Sequence, residues 1–113
     1  QLEQVLINLI TNARDAMDEK EEKNNGSKKS LFLKASKIND EICITVSDNG
    51  SGMNKETKEK IFHPFFTTKV VGKGTGLGMS ISYGIIEEHK GRFEIETEEG
   101  KVTTINLYLP VSS

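Results

Sequence analysis

Leu2, Val5, Leu6, Leu9, Ile10, Ala13, Ala16 and Met17 recur at steps of three and four residues, the pattern of a helix with one buried face. The period stops there. Residues 18–30, DEKEEKNNGSKKS, have no periodicity and contain Asn-Gly, so they read as a solvated helix end and loop. The period then changes to two. Leu31, Leu33 and Ala35 alternate in LFLKASK, and Ile42, Ile44 and Val46 alternate in EICITVSD, predicting a hairpin across Asn39 and Asp40. A short helix follows around residues 55–61, then an irregular segment HPFFTTKVVGKGTG, then a long helix over about residues 77–88. Strands GRFEIETE and TTINLYLP, joined through Glu99 and Gly100, close the chain. This order predicts one α/β (α+β) two-layer sandwich over residues 1–113, with helices on one face of a largely antiparallel sheet.

The stretch DNGSGM, residues 48–53, interrupts the pattern. Asn-Gly favours a hairpin turn, but the charged segment NKETKEKIF that follows has helical character and does not return as a strand. A carboxylate, an amide and two glycines are therefore gathered at a strand end for another reason.

Composition narrows the choices. With 113 residues, 35% hydrophobic and 28% charged, the chain suits one core and a single domain. No apolar run approaches the roughly 20 residues of a membrane helix. Fifteen basic and seventeen acidic residues give a net charge of -2, which offers no global attraction to nucleic acid or an anionic membrane. Any anion site must be local. The single cysteine, Cys43, cannot form an internal disulfide and lies mid-strand, where packing is its expected role. The chain opens inside a helical pattern with no start residue and no capping sequence, and so reads as an N-terminally trimmed piece of a longer protein.

Two groups of residues could carry chemistry. Asn8 and Asn12 are one helical turn apart and Asp15 is nearly in line with them; short amide oxygens at that spacing suit a hard cation such as Mg²⁺, and a merely solvated face is the plainer alternative. In GKGTGLGM, Gly72, Gly74, Gly76 and Gly78 alternate immediately ahead of a helix. Backbone N–H groups can converge on an anion there, and the helix N-terminus favours negative charge. A P-loop would need a glycine where Thr67 stands and Ser or Thr where Gly74 stands. The Rossmann pattern fails too, because its third glycine would fall on Leu77 or Met79. Phosphate binding by another fold remains. Lys69 and Lys73 flank the loop and can neutralise phosphate charge. His63 and His89 have no carboxylate or cysteine companion at useful spacing and read as structural or exposed.

Together these segments resemble the ATP-binding catalytic domain of bacterial sensor histidine kinases, within the group that includes DNA gyrase, Hsp90 and the mismatch-repair ATPases. QVLINLITNARDAM resembles the family's N box, DNGSGM its first glycine box, IFHPFFTTK its F box, GKGTGLGMSISYGIIEEHKG its second glycine box and GKVTTINLYLP its closing strand. The five motifs occur in the family's order and span nearly the whole chain.

The resemblance implies a Bergerat-type ATP-binding fold with a mixed, largely antiparallel sheet. It implies that Asp48 accepts from the adenine amino group, supported by Thr104 and by the close approach that Gly50 and Gly52 permit, with Met53 beside them. Asn12 would coordinate Mg²⁺, with Asn8 as a second candidate, while Lys69, Lys73 and the backbone of Gly74, Thr75, Gly76, Leu77 and Gly78 would hold the phosphates. Residues 64–76 would form a lid over ATP. There are departures: His63 stands where the F box usually has an acidic residue, Val70 where proline or an acid is common, and Asp15 where many members carry a base. The usual strand before the N box is also missing, which leaves one sheet edge open.

Gyrase-like and Hsp90-like members place a catalytic acid on the first helix, and Asn8 stands at the matching position. An amide cannot act as a general base. Hydrolysis is thereby disfavoured, and transfer to a histidine on a separate dimerisation domain is implied, with a response regulator downstream and a cytoplasmic location whether or not the parent is membrane-anchored. His63 precedes proline and His89 precedes lysine, so neither matches the family's phosphoacceptor. A serine kinase of the anti-sigma type, or a nucleotide-binding module without transfer, stays open as an alternative.

Overall fold

The computed structural model describes residues 2–23, 28–62 and 78–111. Helix α1 spans Leu2–Lys23, strands β1 and β2 span Leu31–Ile38 and Glu41–Asp48, α2 spans Lys55–Lys60, α3 spans Gly78–Glu88, and β3 and β4 span Arg92–Glu98 and Val102–Pro110. The strands form one sheet in the order β1-β2-β4-β3. Among the described strands every pairing is antiparallel, so the parallel component of a mixed sheet is not seen here.

Register divides the residues between two faces, because alternate strand residues point to opposite sides. Val46, Ile105 and Ile95 form one row across β2, β4 and β3, and Ile44, Leu107 and Phe93 form the next. These point to the helices. Val5, Leu9, Ala13 and Met17 of α1 are buried, one ridge at four-residue spacing, and Met79, Ile85 and Ile86 of α3 join the same core. Phe62, just past α2, packs against Tyr83 of α3 and Phe93 of β3, with ring centroids 5.0 and 5.1 Å apart. Asn54 caps α2 by accepting from the Thr57 N–H at 2.8 Å.

The predicted elements are present, but the apolar stripe of α1 is narrower than its periodicity suggests. Leu2 and Ile10 are exposed. So are Leu31 and Leu33, the latter at 54%, although their alternation reads as an inward face. The helices explain this: α1 packs on β2 and α3, and α3 on β3, which leaves β1 beyond the helical layer. A groove of about 290 Å³ lined by Leu6, Ile10, Leu33 and Ile44 runs between α1 and β1. Among the described residues no helix is long and apolar enough to cross a membrane.

Candidate functional site

The apolar inner face ends in a polar row. Asp48 is the last residue of β2 and lies opposite Thr103 of β4, which in turn lies opposite Thr97 of β3. Asp48 and Thr103 are only 6% and 5% exposed. Parity thus directs a carboxylate inward, where apolar residues precede it. One carboxylate oxygen, Oδ1, accepts from the Gly50 N–H at 2.8 Å, and Oδ2 has no partner among the described residues. Burial lifts the Asp48 carboxyl above its ordinary pKa, while the Gly50 N–H and the positive charge of Lys20 act in the opposite direction.

The turn after Asp48 is held from three sides. Ser51 N–H donates to the Ala16 carbonyl of α1 at 3.1 Å. Asn49 accepts from Ser30 N–H at 2.8 Å and donates to the Lys28 carbonyl at 2.6 Å, tying the entry to β1 onto the turn. Gly100 N–H donates to Ser51 O at 2.6 Å and Met53 N–H to Thr97 Oγ1 at 2.9 Å, adding the β3–β4 hairpin. This explains the two glycines. A Cβ on Gly50 would lie 2.6 Å from the Ala16 backbone, and one on Gly52, at φ +67°, would run into the Glu98 carbonyl. The close approach is made by neighbouring backbone of the protein itself.

Helix α1 brings the second part of the site. Asn8 donates through Nδ2 to Gly78 O at 3.1 Å and to Ser82 Oγ at 3.0 Å, and Ser82 donates to Gly78 O at 2.9 Å. With both amide hydrogens engaged on α3, Oδ1 is the acceptor left to Asn8. One turn on, the half-buried Asn12 carboxamide has no hydrogen-bond partner among the described residues. Two neutral amide oxygens suit Mg²⁺, a hard cation that also keeps water and phosphate ligands. No group of three or more His, Cys, Asp or Glu able to hold a metal occurs among the described residues. Asp15 stands beside Arg14 at 3.3 Å.

One sequence-derived assignment changes at this point. Thr104 does not share a face with Asp48: its hydroxyl lies 2.8 Å from Ser47 Oγ on the opposite side of the sheet. Thr103 is the threonine that lies opposite Asp48 on the inner face. Parity could have found it, since Thr103 is in phase with the inward Ile105, Leu107 and Leu109. Ser82 was missed as well, and its signal was a lone hydroxyl in the apolar period of α3. His89 has a structural place, its Nδ1 lying 2.8 Å from Ile85 O at the end of α3. Gly78 opens α3, with its carbonyl taken by Asn8 and Ser82. His63, Lys69, Val70, Lys73, Gly74, Thr75, Gly76 and Leu77, with the rest of the expected lid at 64–76, lie outside the described residues.

The structure thus joins a two-layer sandwich to a buried carboxylate at a glycine turn and to amides on the facing helix. Over residues 1–113 the chain matches the histidine kinase-, DNA gyrase B- and HSP90-like ATPases, and it belongs to that family. Among its relatives are sensor kinase CckA of Brucella abortus (strain 2308), 44% identical over 97% of this chain, and sporulation kinase E of Bacillus subtilis (strain 168), 40% identical over 98%. Sensor histidine kinase ZraS of Escherichia coli (strain K12) is 37% identical over 98%. The chain spans 12%, 14% and 22% of the length of these three proteins. The catalytic domain of histidine kinase ThkA, solved in a nucleotide-free form, matches with a TM-score of 0.78 at 35% identity, covering 99% of this chain and 68% of that one. The fold is that of a histidine kinase catalytic domain.

Proposed function

We propose that this chain is the ATP-binding catalytic domain of a two-component sensor histidine kinase, holding Mg-ATP and presenting its γ-phosphate to a histidine on a separate dimerisation domain. The observation that carries the reading is Asp48, a buried carboxylate with one oxygen fixed by the Gly50 N–H and the other left for a ligand. A carboxylate oxygen there accepts a hydrogen bond from an adenine amino group, and Thr103 supplies a hydroxyl on the same face. Asn12, with Asn8 beside it, holds the cation; bound Mg²⁺ supplies charge neutralisation at the phosphates. Lys69, Lys73 and the residue 74–78 backbone hold the phosphate tail.

Asn8 decides between transfer and hydrolysis. Its Nδ2 is committed to Gly78 and Ser82, and an amide has no basic site with which to activate water. The domain therefore contributes position and electrostatics, the main levers in phosphoryl transfer. A histidine nitrogen of the partner domain attacks phosphorus in line, a P–N bond forms as the bond to the β–γ bridging oxygen breaks, and ADP leaves. A response regulator is the onward acceptor, and the domain works in the cytoplasm, where ATP is available.

The test mixes this domain with the dimerisation domain of its parent protein and γ-labelled ATP. The expected product is acid-labile, alkali-stable label on a histidine. Label on a serine of an added substrate would favour an anti-sigma-type kinase, and nucleotide binding with no transfer would favour a module that relays conformation only.

A further inference from the structure

Helix α1 touches the site at four-residue steps. Asn8 reaches α3, Asn12 is unpartnered among the described residues, Ala16 accepts from Ser51 N–H, and Lys20 donates through Nζ to the Asn49 carbonyl at 3.0 Å. Residues at i and i+4 form one ridge on a helix, so Lys20 continues the stripe that begins with the candidate cation ligands. It ends at the candidate base-recognition turn. Lys20 is half-buried there, and the carbonyl it holds belongs to the residue between Asp48 and Gly50.

We propose that Lys20 is a positioning residue for base recognition: its ammonium group clamps the Asn49 carbonyl and sets a fixed positive charge beside Asp48, so that the site takes a 6-aminopurine nucleotide in preference to a 6-ketopurine one. This rests on the reading of Asp48 as the group that meets the base. The chemistry is direct. A carboxylate accepts from an amino group and repels a keto oxygen, whereas a neutral carboxylic acid can donate to the keto oxygen. The charge on Asp48 therefore sets which base fits.

The neighbours of Asp48 leave this task to Lys20. Across the inner row stand Leu31 of β1 and Thr103 of β4, with Thr97 of β3 beyond, none of them charged. From the turn come Asn49 and the Gly50 N–H. From residues 28–30, Lys28 contributes its backbone carbonyl and has an exposed side chain. Lys29 is turned to Asp18 at 2.6 Å and Glu21 at 3.5 Å. Burial opposes ionisation of Asp48, and of the charged side chains around it Lys20 is the one that offsets that burial.

The experiment compares the wild-type chain with Lys20→Met, Lys20→Gln and Lys20→Arg by calorimetric titration of Mg-ADP and Mg-GDP between pH 5 and 8. Wild-type affinity for ADP is expected to fall as pH is lowered. In Lys20→Met and Lys20→Gln the fall starts at higher pH, making ADP binding weaker by a factor of about five at the point of greatest separation, the scale of a partly screened ion pair, and narrowing the preference over GDP. Lys20→Arg keeps the wild-type profile. A ¹³C titration of the Asp48 carboxyl in the nucleotide-free proteins reads the same effect without ligand: its midpoint moves upward in the two neutral variants. An unmoved midpoint, or pH profiles that coincide after scaling by a constant, overturns the proposal and leaves Lys20 a structural tether. Wild-type protein that binds neither nucleotide at any pH would instead overturn the reading of the site itself.

Discussion

On the proposed function, Asp48 meets two opposing requirements with one side chain. As a buried carboxylate it costs the fold stability, because its folded pKa is raised above the ordinary value by burial. As an ionised acceptor it is what an adenine amino group requires. Asp48→Asn keeps an oxygen for the Gly50 N–H, so we expect it to raise the melting temperature of the free protein while weakening ADP binding. The sign follows from the direction of the shift. The stability gap is widest at neutral pH, where the wild-type carboxyl is ionised, and closes as pH falls below the ordinary carboxylate range, where both side chains are neutral. Asn12→Ala should behave differently, removing most of the Mg²⁺ dependence of ATP binding with little change in ADP binding without Mg²⁺. Melting curves and titrations with and without Mg²⁺ check both, and identical small effects from the two variants would contradict the assigned roles. At this scale chemistry marked Asp48 and Asn12 in the sequence as candidates, and the structure buries the first and leaves the second without a hydrogen-bond partner among the described residues. The site was misread at Thr104, where two identical neighbours differ only in which face of β4 they occupy.

The elements show why residues 48–53 are neither hairpin nor loose loop. Their backbone is fixed by α1, by residues 28–30 and by the β3–β4 turn at once, contacts between segments far apart in sequence that local pattern cannot reveal. The hairpins themselves were legible, since alternation and turn residues suffice to define them. At the end of α3 the chain takes a less favourable course. Lys90 adopts φ 61° while Lys90 N–H and Gly91 N–H donate to Glu87 O and Ile86 O at 3.0 and 2.9 Å, a left-handed cap at which glycine is the preferred residue. Lys90→Gly should stabilise the protein by about 1 kcal/mol, seen as a later urea midpoint with an unchanged slope. Gly91→Ala should do the reverse, because a Cβ there meets the Tyr108 carbonyl and the Ile86 side chain.

For the whole molecule, element order and periodicity led to the two-layer sandwich, and the family's motifs fall at its glycine turn and on its first helix. What the pattern could not supply was the extent of the helical layer. Leu31 and Leu33 alternate like buried residues, yet α1 packs on β2 and α3 on β3, and β1 stands outside the core. The central claim is that this sandwich binds an adenine nucleotide at Asp48, and thermal unfolding with and without Mg-ADP tests it most directly. At a hundredfold excess over the dissociation constant, binding to the folded state alone stabilises it by about 2.7 kcal/mol, a rise of several degrees in melting temperature that Mg-GDP at the same concentration should not match. A melting temperature unmoved by Mg-ADP at millimolar concentration would contradict the account.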